Sequence, residues 1–466
     1  MSSPTTLIIF GATGDLAGKK VIPALFYLFE KGKLPTGFNI LGVSRQAMEQ
    51  SEFRERMSSI IRKYSRGNVD QRALDRFVDL FTFSAVQFDE ETGYQDLANA
   101  LDTKDRSQGK TNRLLYLALP PKTLPSIFTH SGFQNIVRQG VVGGLLSRVI
   151  VEKPFGVDAE SAEVLEKSLA TCFTEEQIYR VDHYLAKDIL QSVTDFRFDN
   201  NLLEHEWNSD SIESIRVRLW ETLGVESRGE FYDHTGAFRD VGQSHMLEML
   251  ALITMEKPDS YDAKDLRLKR LEILRALKAP TADTATQSTF RAQHTGYRSI
   301  TGIDPESTTE TYFSLRTEID TPRWKGVSIY LEAGKRMHEA RKEIVISFKA
   351  PYKNNVIFRL EPQEEIVIEF LTKKPGVLES GIEKRAFTFK LYETPSRTQY
   401  IAEYAKMILD AIDGEQKLFV SADEVRATWK FTDAVRALWK NNFVPLASYA
   451  PDTDEAVVQA NAIILK

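Results

Sequence analysis

The spacing of apolar and polar residues divides the chain into two parts. In the first part, short apolar runs rich in β-branched residues alternate with segments in which apolar residues recur at helical spacing. Such runs are typical of strands buried on both faces of a parallel sheet. The predicted strands are 5–10, 39–44, 113–119 and 147–152, and the predicted helices are 52–64, 88–102 and 158–170.

After about residue 200, apolar and polar residues alternate over successive segments. This alternation is typical of an antiparallel sheet with one buried and one solvated face, and it predicts an α+β domain built on one large sheet. The predicted strands are 211–222, 310–319, 326–333, 343–349, 355–361, 365–371 and 386–392. The predicted helices are 235–255, 264–278, 398–412 and 421–440.

The turn after the first predicted strand has the sequence GATGDLA, at 11–17. A strand, a glycine turn and a helix in this order are the context that a dinucleotide-binding fingerprint requires. The spacing departs from G-x-G-x-x-G, so a purely structural turn is the alternative. The predicted fold class is an N-terminal α/β, Rossmann-type dinucleotide-binding domain (1–178) followed by a C-terminal α+β domain (179–466). The second domain is built on a large, mainly antiparallel sheet with helices.

Basic side chains follow two of the other predicted strands. The second strand ends in Ser44-Arg45-Gln46, where a site that prefers NAD usually has Asp or Glu for the ribose hydroxyls. Arginine suits the 2′-phosphate of NADP instead, and a solvent-facing arginine is the alternative. Lys153 follows the strand 147–152, at the edge where ligands bind in parallel sheets. The alternative for Lys153 is a surface lysine.

The stretch RVDHYLAKD, at 180–188, combines two cations, an imidazole, a phenol and two carboxylates. On a helix, His183 and Lys187 would share a face, with Tyr184 beside them near the helix start. Free N–H groups at a helix start favour an anion, so these residues predict a phosphate-binding pocket. A charged surface turn before an amphipathic helix is the alternative.

Composition and charge restrict the class of function. The chain has 466 residues, 42% of them hydrophobic and 27% charged, as expected for a soluble protein of two or three domains. The net charge of −6 disfavours nucleic acids and membrane surfaces as partners. The N-terminal segment lacks a basic region and its apolar run is short, so we expect no signal peptide. No apolar run reaches the ~20 residues that a membrane span needs, and the single cysteine excludes an internal disulfide. We therefore expect a cytoplasmic protein.

The seven histidines lack metal-ligand spacing, and the chain has no P-loop and no G-x-S-x-G sequence. We therefore expect no metal site, and we disfavour hydrolase and nucleoside-triphosphatase functions. His245 lies on the predicted helix 235–255, within the sequence RDVGQSH. A single helical histidine is more often structural than catalytic, so the pattern alone gives His245 no role.

Ordered motifs occur along nearly the whole chain, from Thr5 to about residue 440. The most specific is RVDHYLAKD, which is similar to the pattern R-I-D-H-Y-L-G-K-E. The others are GATGDLA at 11–17, GVSRQ at 42–46, EKPFG at 152–156, ETLGVESRGEFYD at 221–233, RDVGQSH at 239–245, TET at 309–311, RWKGV at 323–327, AGK at 333–335, KKPG at 373–376 and FVSADEVRATW at 419–429. Together these motifs resemble the glucose-6-phosphate dehydrogenase family.

The resemblance implies oxidation of the C1 hydroxyl of glucose 6-phosphate to 6-phosphoglucono-1,5-lactone, with hydride transfer to NADP, as in the first step of the pentose phosphate pathway. NAD is a second candidate coenzyme. The resemblance also implies that His245 is the general base and that Asp182 orients it. The implied substrate contacts are Lys153, His183, Tyr184, Lys187, Glu221, Asp240 and Lys335. The implied coenzyme contacts are Gly11, Thr13, Gly14, Asp15, Leu16, Arg45, Gln46 and Lys153.

Ala186 and Asp188 replace the family's usual Gly and Glu, which are mild changes, and three further residues depart from the family's pattern near these positions. Ser244 replaces the usual Asn, Glu332 replaces a common Arg, and Glu361 replaces a common Gln whose amide can also donate hydrogen bonds. These departures keep two other hypotheses open: a non-catalytic relative that binds coenzyme or regulates a partner, and the same chemistry on another sugar phosphate. Because a large sheet usually needs its outer face covered, and because the family forms dimers, we expect a homodimer or homotetramer through the second domain.

Overall fold

A computed structural model of the chain describes residues 4–65, 69–109, 111–137, 141–142, 145–351, 353–375, 381–392 and 399–465. Residue 376, the last of the KKPG motif, lies outside these ranges. The chain divides into two compact units. The first comprises Met1–Ala186, Asp262–Lys264 and Arg397–Val425, and the second comprises Lys187–Tyr261, Asp265–Ser396 and Arg426–Lys466.

The strands, in chain order, are β1 Thr5–Phe10, β2 Asn39–Ser44, β3 Phe81–Ala85, β4 Asn112–Leu117, β5 Val141–Val142, β6 Leu145–Glu152, β7 Ile178–Val181, β8 Ile212–Trp220, β9 Leu277–Lys278, β10 Thr289–His294, β11 Tyr312–Ile319, β12 Ser328–Gly334, β13 Arg341–Phe348, β14 Asn355–Glu361, β15 Glu365–Lys373, β16 Ile382–Lys390, β17 Phe419–Val420 and β18 Leu446–Tyr449.

The α-helices are α1 Ile22–Glu30, α2 Gln50–Tyr64, α3 Gln71–Val78, α4 Glu91–Gln108, α5 Leu124–Ile127, α6 Ser131–Ile136, α7 Ala159–Ala170, α8 Asp188–Phe198, α9 Asn201–Glu204, α10 Gly229–Asp233, α11 Leu247–Thr254, α12 Ala263–Ala276, α13 Ala285–Ser288, α14 Gln399–Asp413, α15 Ala422–Lys440 and α16 Glu455–Ile464. The π-helical segments Ala17–Val21 and Phe238–Met246 run directly into α1 and α11. Across the described ranges, no helix is both long and apolar enough to cross a bilayer.

The first unit contains a mostly parallel sheet with the strand order β17-β7-β6-β4-β1-β2-β3, and β5 pairs with β6. Neighbouring strands from β7 to β3 are parallel, whereas β17 runs antiparallel to β7. Every residue of β1 is buried, as expected for a strand covered on both faces. The predicted Rossmann-type domain is therefore confirmed, and ligands of such sheets bind at the carboxyl ends of the strands.

The bounds of the first unit differ from those of the predicted domain 1–178. Strand β7 pairs with β6 in the same sheet, so the unit continues beyond residue 178 to Ala186. Helix α14 and strand β17 also belong to it, because Ile408 and Phe419 are buried in the same apolar core as Leu7 of β1. Helical spacing predicts α14 itself, but contacts with residues far away in the sequence decide which sheet it covers.

The second unit contains a large sheet with the strand order β16-β15-β14-β13-β8-β12-β11-β10-β18, and β9 pairs with β11. Most neighbours are antiparallel, while β8 with β12 and β10 with β18 are parallel. The predicted large, mainly antiparallel sheet is confirmed. The apolar pattern misses β10, because its sequence TFRAQH carries several polar residues although all six are buried.

Candidate active site

The glycine turn lies between β1 and the π-helical segment at Ala17. Gly11 has a φ of +81°, which favours glycine, and a Cβ atom there would lie 2.4 Å from the carbonyl oxygen of Ala118. The Gly11 N–H donates to the carbonyl of Val43 (2.8 Å), which ties the turn to β2. This close approach of backbone fits the turn that holds a dinucleotide pyrophosphate. The same turn contains Thr13, Gly14, Asp15 and Leu16.

Arg45 and Gln46 are exposed directly after β2, the strand to which the glycine turn is tied. The Arg45 carbonyl accepts a hydrogen bond from Gln87 Nε2 (2.9 Å), which holds the backbone at this point. The sequence patterns did not indicate a second arginine at the turn: exposed Arg56 of α2 donates to the carbonyl of Thr13 (2.8 Å). Basic side chains at this turn suit a ligand that carries phosphate.

Strand β6 ends at Glu152, and half-buried Lys153 follows it with a cis peptide bond to Pro154. The hydroxyl of Tyr116, on β4, donates to the Glu152 carboxylate. Burial raises the pKa of the Glu152 carboxyl to about 7, although the Tyr116 hydrogen bond and the ammonium groups of Lys153 and Lys20 act in the opposite direction. Lys153 therefore follows a carboxyl group that can change its charge near neutral pH.

The residues between β7 and α8 form turns, so the predicted helical relation between His183 and Lys187 is wrong. Asp182 Oδ1 accepts a hydrogen bond from the backbone N–H of Tyr184 (3.0 Å), and this bond stabilises the first turn after β7. Helix α8 begins only at Asp188, with Lys187 as its N-cap. His183 and Lys187 consequently do not share a helix face.

The start of α8 also differs from the expected anion site. The backbone N–H of Ile189 donates to the carboxylate of Glu364 (3.1 Å). The Glu364 carboxylate thus accepts from one of the free N–H groups at the helix start, which we had predicted to bind a phosphate. Binding of a phosphate near Lys187 therefore depends on basic side chains rather than on this backbone N–H group.

His183 and Tyr184 lie among aromatic side chains of the first unit. The His183 ring centroid is 5.0 Å from that of Tyr184 and 6.3 Å from those of Tyr400 and Tyr404 on α14. Lys20 Nζ lies 4.1 Å from the centroid of the Tyr400 ring, within cation–π range. Lys20, Tyr400 and Tyr404 were not predicted as site residues. The four-residue spacing of the two tyrosines places them on one face of the predicted helix, which was only a weak indication of a site.

Charged side chains of the second unit form an alternating series of ammonium groups and carboxylates. Lys335 Nζ contacts Glu221 Oε2 directly and lies 3.8 Å from Asp240 Oδ2. Lys342 Nζ lies 3.8 Å from the other Glu221 oxygen. We call this group the lysine–carboxylate series, and its members are Lys187, Glu361, Lys342, Glu221, Lys335 and Asp240.

Glu361 joins two lysines of the series. Its Oε1 lies 3.0 Å from Lys187 Nζ, and its Oε2 lies 2.7 Å from Lys342 Nζ. Lys342 was not predicted as a site residue. The register between β13 and β14 shifts between Lys342 and Glu343, and such irregularities change the direction in which side chains point. Burial raises the pKa of Glu361, but the two ammonium groups outweigh burial and hold this pKa below its usual value.

His245 is buried on the π-helical segment Phe238–Met246, which also carries Asp240. π-Helical turns are rare and frequently occur at functional sites. At Gly242, a Cβ atom would come within 2.5 Å of the Phe238 ring, so this segment requires glycine for its packing. The buried Ser244 hydroxyl has no hydrogen-bond partner among the described residues.

Glu332 is buried within the large sheet. Its carboxylate accepts a hydrogen bond from the Tyr312 hydroxyl (2.6 Å) and lies 3.3 Å from both Arg216 and Arg218. Two guanidinium groups therefore compensate its charge. Residues of the neighbouring strands β8 and β11 therefore stabilise a glutamate at the position where the family commonly has an arginine.

The predicted site residues are distributed over both units. In the first unit, the glycine turn adjoins β2, which Arg45 and Gln46 follow, and Tyr184 lies beside His183. In the second unit, the lysine–carboxylate series joins four of the predicted residues, and His245 shares a π-helical segment with one of them. The first unit carries Lys153, Asp182 and the predicted coenzyme residues, and the second carries Lys187, Glu221, Asp240, His245 and Lys335.

Sequence profiles of the glucose-6-phosphate dehydrogenase family match this chain in two consecutive parts. The profile of the family's NAD-binding domain matches residues 8–192, and that of its C-terminal domain matches residues 194–464. The glucose-6-phosphate 1-dehydrogenase of Chlamydia pneumoniae is 33% identical and covers 99% of this chain and 94% of that protein. The enzyme of the same name from Aggregatibacter actinomycetemcomitans is 35% identical and covers 92% and 90%.

Solved structures agree with the sequence comparisons. A glucose-6-phosphate dehydrogenase in complex with its substrate glucose-6-phosphate is similar with a TM-score of 0.89 and 28% identity, covering 99% of this chain and 98% of that one. The glucose-6-phosphate 1-dehydrogenase from Mycobacterium avium is similar with a TM-score of 0.83 and 29% identity, covering 97% and 96%. This chain therefore belongs to the glucose-6-phosphate dehydrogenase family.

Proposed function

We propose that this chain oxidises the C1 hydroxyl of glucose 6-phosphate to 6-phosphoglucono-1,5-lactone and transfers the hydride to NADP⁺. Membership of the family supports this reaction. The observation that carries the proposal is the lysine–carboxylate series, because it combines ammonium groups for an anionic substrate with carboxylates for sugar hydroxyls. The reaction is the first step of the pentose phosphate pathway, and we expect it to take place in the cytoplasm.

In this proposal, His245 is the general base. It takes the proton of the C1 hydroxyl while the C1–H bond releases a hydride, so that a C1 carbonyl forms. NADP⁺, when bound, supplies the nicotinamide C4 that accepts the hydride. Asp182 orients the imidazole and stabilises the imidazolium that forms. His245 and Asp182 are buried, an environment in which a new positive charge needs a compensating carboxylate.

The remaining roles follow the family's motifs residue by residue. Binding of the substrate phosphate is assigned to His183, Tyr184 and Lys187. Contacts to the sugar or its phosphate are assigned to Lys153, Glu221, Asp240 and Lys335. Coenzyme binding in the first domain is assigned to Gly11, Thr13, Gly14, Asp15, Leu16, Arg45, Gln46 and Lys153, while the second domain binds substrate and mediates oligomerisation.

The direct test is to mix the purified protein with glucose 6-phosphate and either NADP⁺ or NAD⁺ and to follow formation of the reduced nicotinamide by absorbance. Turnover with NADP⁺ supports the proposal. Turnover on another hexose phosphate alone would assign the same chemistry to a different substrate. Coenzyme binding without turnover on any hexose phosphate would favour a non-catalytic role.

Replacing Arg45 with alanine tests the coenzyme assignment. We expect the KM for NADP⁺ to rise about tenfold or more and the KM for NAD⁺ to change less, because a guanidinium–phosphate hydrogen bond contributes roughly 1.5–3 kcal/mol. Steady-state kinetics with both coenzymes measure this. The variant Arg45→Lys keeps the positive charge and should retain part of the preference. Equal changes for the two coenzymes would remove the proposed role of Arg45.

The proposed homodimer or homotetramer is supported by exposed apolar side chains on β16. In the described part of the sheet, β16 is the edge strand, and Ile382, Phe387 and Phe389 are 71%, 63% and 56% exposed. We expect light scattering to give at least a dimer and the double variant Phe387→Glu/Phe389→Glu to shift it towards monomer, because buried like charges oppose association. A monomeric native protein at working concentration contradicts this proposal.

A further inference from the structure

Glu361 occupies a position from which it controls the charge available to an anion. Both of its carboxylate oxygens are used by ammonium groups, at 3.0 Å from Lys187 and 2.7 Å from Lys342. The Lys187 side chain is fully buried, and that of Glu361 is 20% exposed. Buried ion pairs of this kind are screened far less by solvent and salt than surface pairs.

Glu361 reduces the positive charge that this group offers to a simple anion. The two ammonium groups and the carboxylate together carry one net positive charge, whereas a neutral glutamine at 361 would leave two. An anion that binds to Lys187 also meets the negative charge of Glu361 on the same ammonium group. Hydroxyl groups change this balance, because a carboxylate accepts hydrogen bonds from them.

We infer that Glu361 is a specificity-determining residue that selects sugar phosphates over free phosphate. This inference rests on the proposed function. Glu361 weakens the binding of every phosphate group at Lys187 and Lys342. A sugar phosphate recovers the lost binding free energy, because its hydroxyl groups donate hydrogen bonds to the Glu361 carboxylate while its phosphate binds the neighbouring ammonium groups. Inorganic phosphate lacks the sugar hydroxyls and stays weakly bound, so it competes poorly with the substrate.

The variant Glu361→Gln tests this inference, with inorganic phosphate as the probe. We expect phosphate to bind about tenfold more tightly or better, because a repulsive unit charge a few ångströms away acts at an effective dielectric constant of about 20. The binding constant is measured by calorimetry without substrate, and the inhibition constant against glucose 6-phosphate is measured by kinetics. The KM for glucose 6-phosphate should change by a smaller factor than the phosphate constants.

Two further variants separate selectivity from a structural effect. Glu361→Asp keeps the charge and should keep most of the discrimination against phosphate. Glu204→Gln is a matched control, because Glu204 is also 20% exposed and also pairs with two cations, Arg197 and Arg323, outside the lysine–carboxylate series. It should leave phosphate binding unchanged. Thermal unfolding of each variant shows whether it is folded.

Different outcomes bear on the inference and on the proposed function. Unchanged or weaker phosphate binding in Glu361→Gln overturns the inference, as does an equal gain in affinity for phosphate and glucose 6-phosphate. A native protein that does not oxidise glucose 6-phosphate overturns the proposed function. In that case, calorimetry with phosphate and with glucose 6-phosphate still measures whether Glu361 discriminates between them.

Discussion

Replacement of His245 by asparagine is expected to lower kcat for glucose 6-phosphate oxidation by about 10² or more. Asparagine has nearly the same size and can still form hydrogen bonds, but it cannot accept the proton of the C1 hydroxyl at neutral pH. Loss of a positioned general base typically costs a factor of about 10²–10⁴. Steady-state kinetics give kcat, and calorimetry shows whether the variant still binds glucose 6-phosphate.

A second buried histidine provides the control for this experiment. His294 is also buried and lies on β10, and no catalytic role is proposed for it. The variant His294→Asn should retain turnover, so the two variants separate the loss of a base from the loss of any buried imidazole. Near-normal kcat in His245→Asn would exclude His245 as the base.

Replacement of Arg180 by methionine is expected to destabilise the protein by about 3–5 kcal/mol. Arg180 is completely buried, and its guanidinium forms two-pronged contacts with Glu166 and Glu175. Without Arg180, the buried Glu166 carboxylate loses its countercharge, and an uncompensated buried charge is among the most costly changes in a protein interior. Chemical denaturation monitored by circular dichroism measures the change in the free energy of unfolding.

Two comparisons show whether the buried charge causes the loss. The double variant Arg180→Met/Glu166→Met should recover part of the stability, because it removes the isolated carboxylate and fills the space with apolar groups. Lys278→Met removes a cation that pairs with Asp320 where both side chains are more than half exposed, and it should cost at most about 1 kcal/mol. If Arg180→Met and Lys278→Met had equal effects, the buried network would not be important for stability.

Local sequence patterns predicted much of the fold. Strands β11 to β16 lie within a few residues of the predicted segments, because alternation of apolar and polar residues reflects the period of a single strand. The glycine turn was predicted for a similar reason. A tight turn with positive φ favours glycine, and the glycine at position 11 is visible in the sequence. β10 was missed because its polar residues are buried by contacts that its own sequence does not reveal.

Errors in the candidate site have the same origin. Helical spacing placed His183 and Lys187 on one face, but Asp182 stabilises a turn and the helix begins at Asp188. Lys342 was overlooked because nothing in its neighbourhood in the sequence marks it, although it pairs with Glu361 in the folded protein. A spacing rule applies only where the assumed secondary structure is present.

The sequence by itself determined most of the succession of strands and helices, the position of the glycine turn and the membership of a family. These features depend on residues close together in the chain or on ordered motifs. Tertiary structure alone decided that α14 joins the first unit and that Glu361 holds Lys187, a residue 174 positions away. Ion pairs and core contacts act over a few ångströms in space, so their partners become known only when folding brings distant segments together.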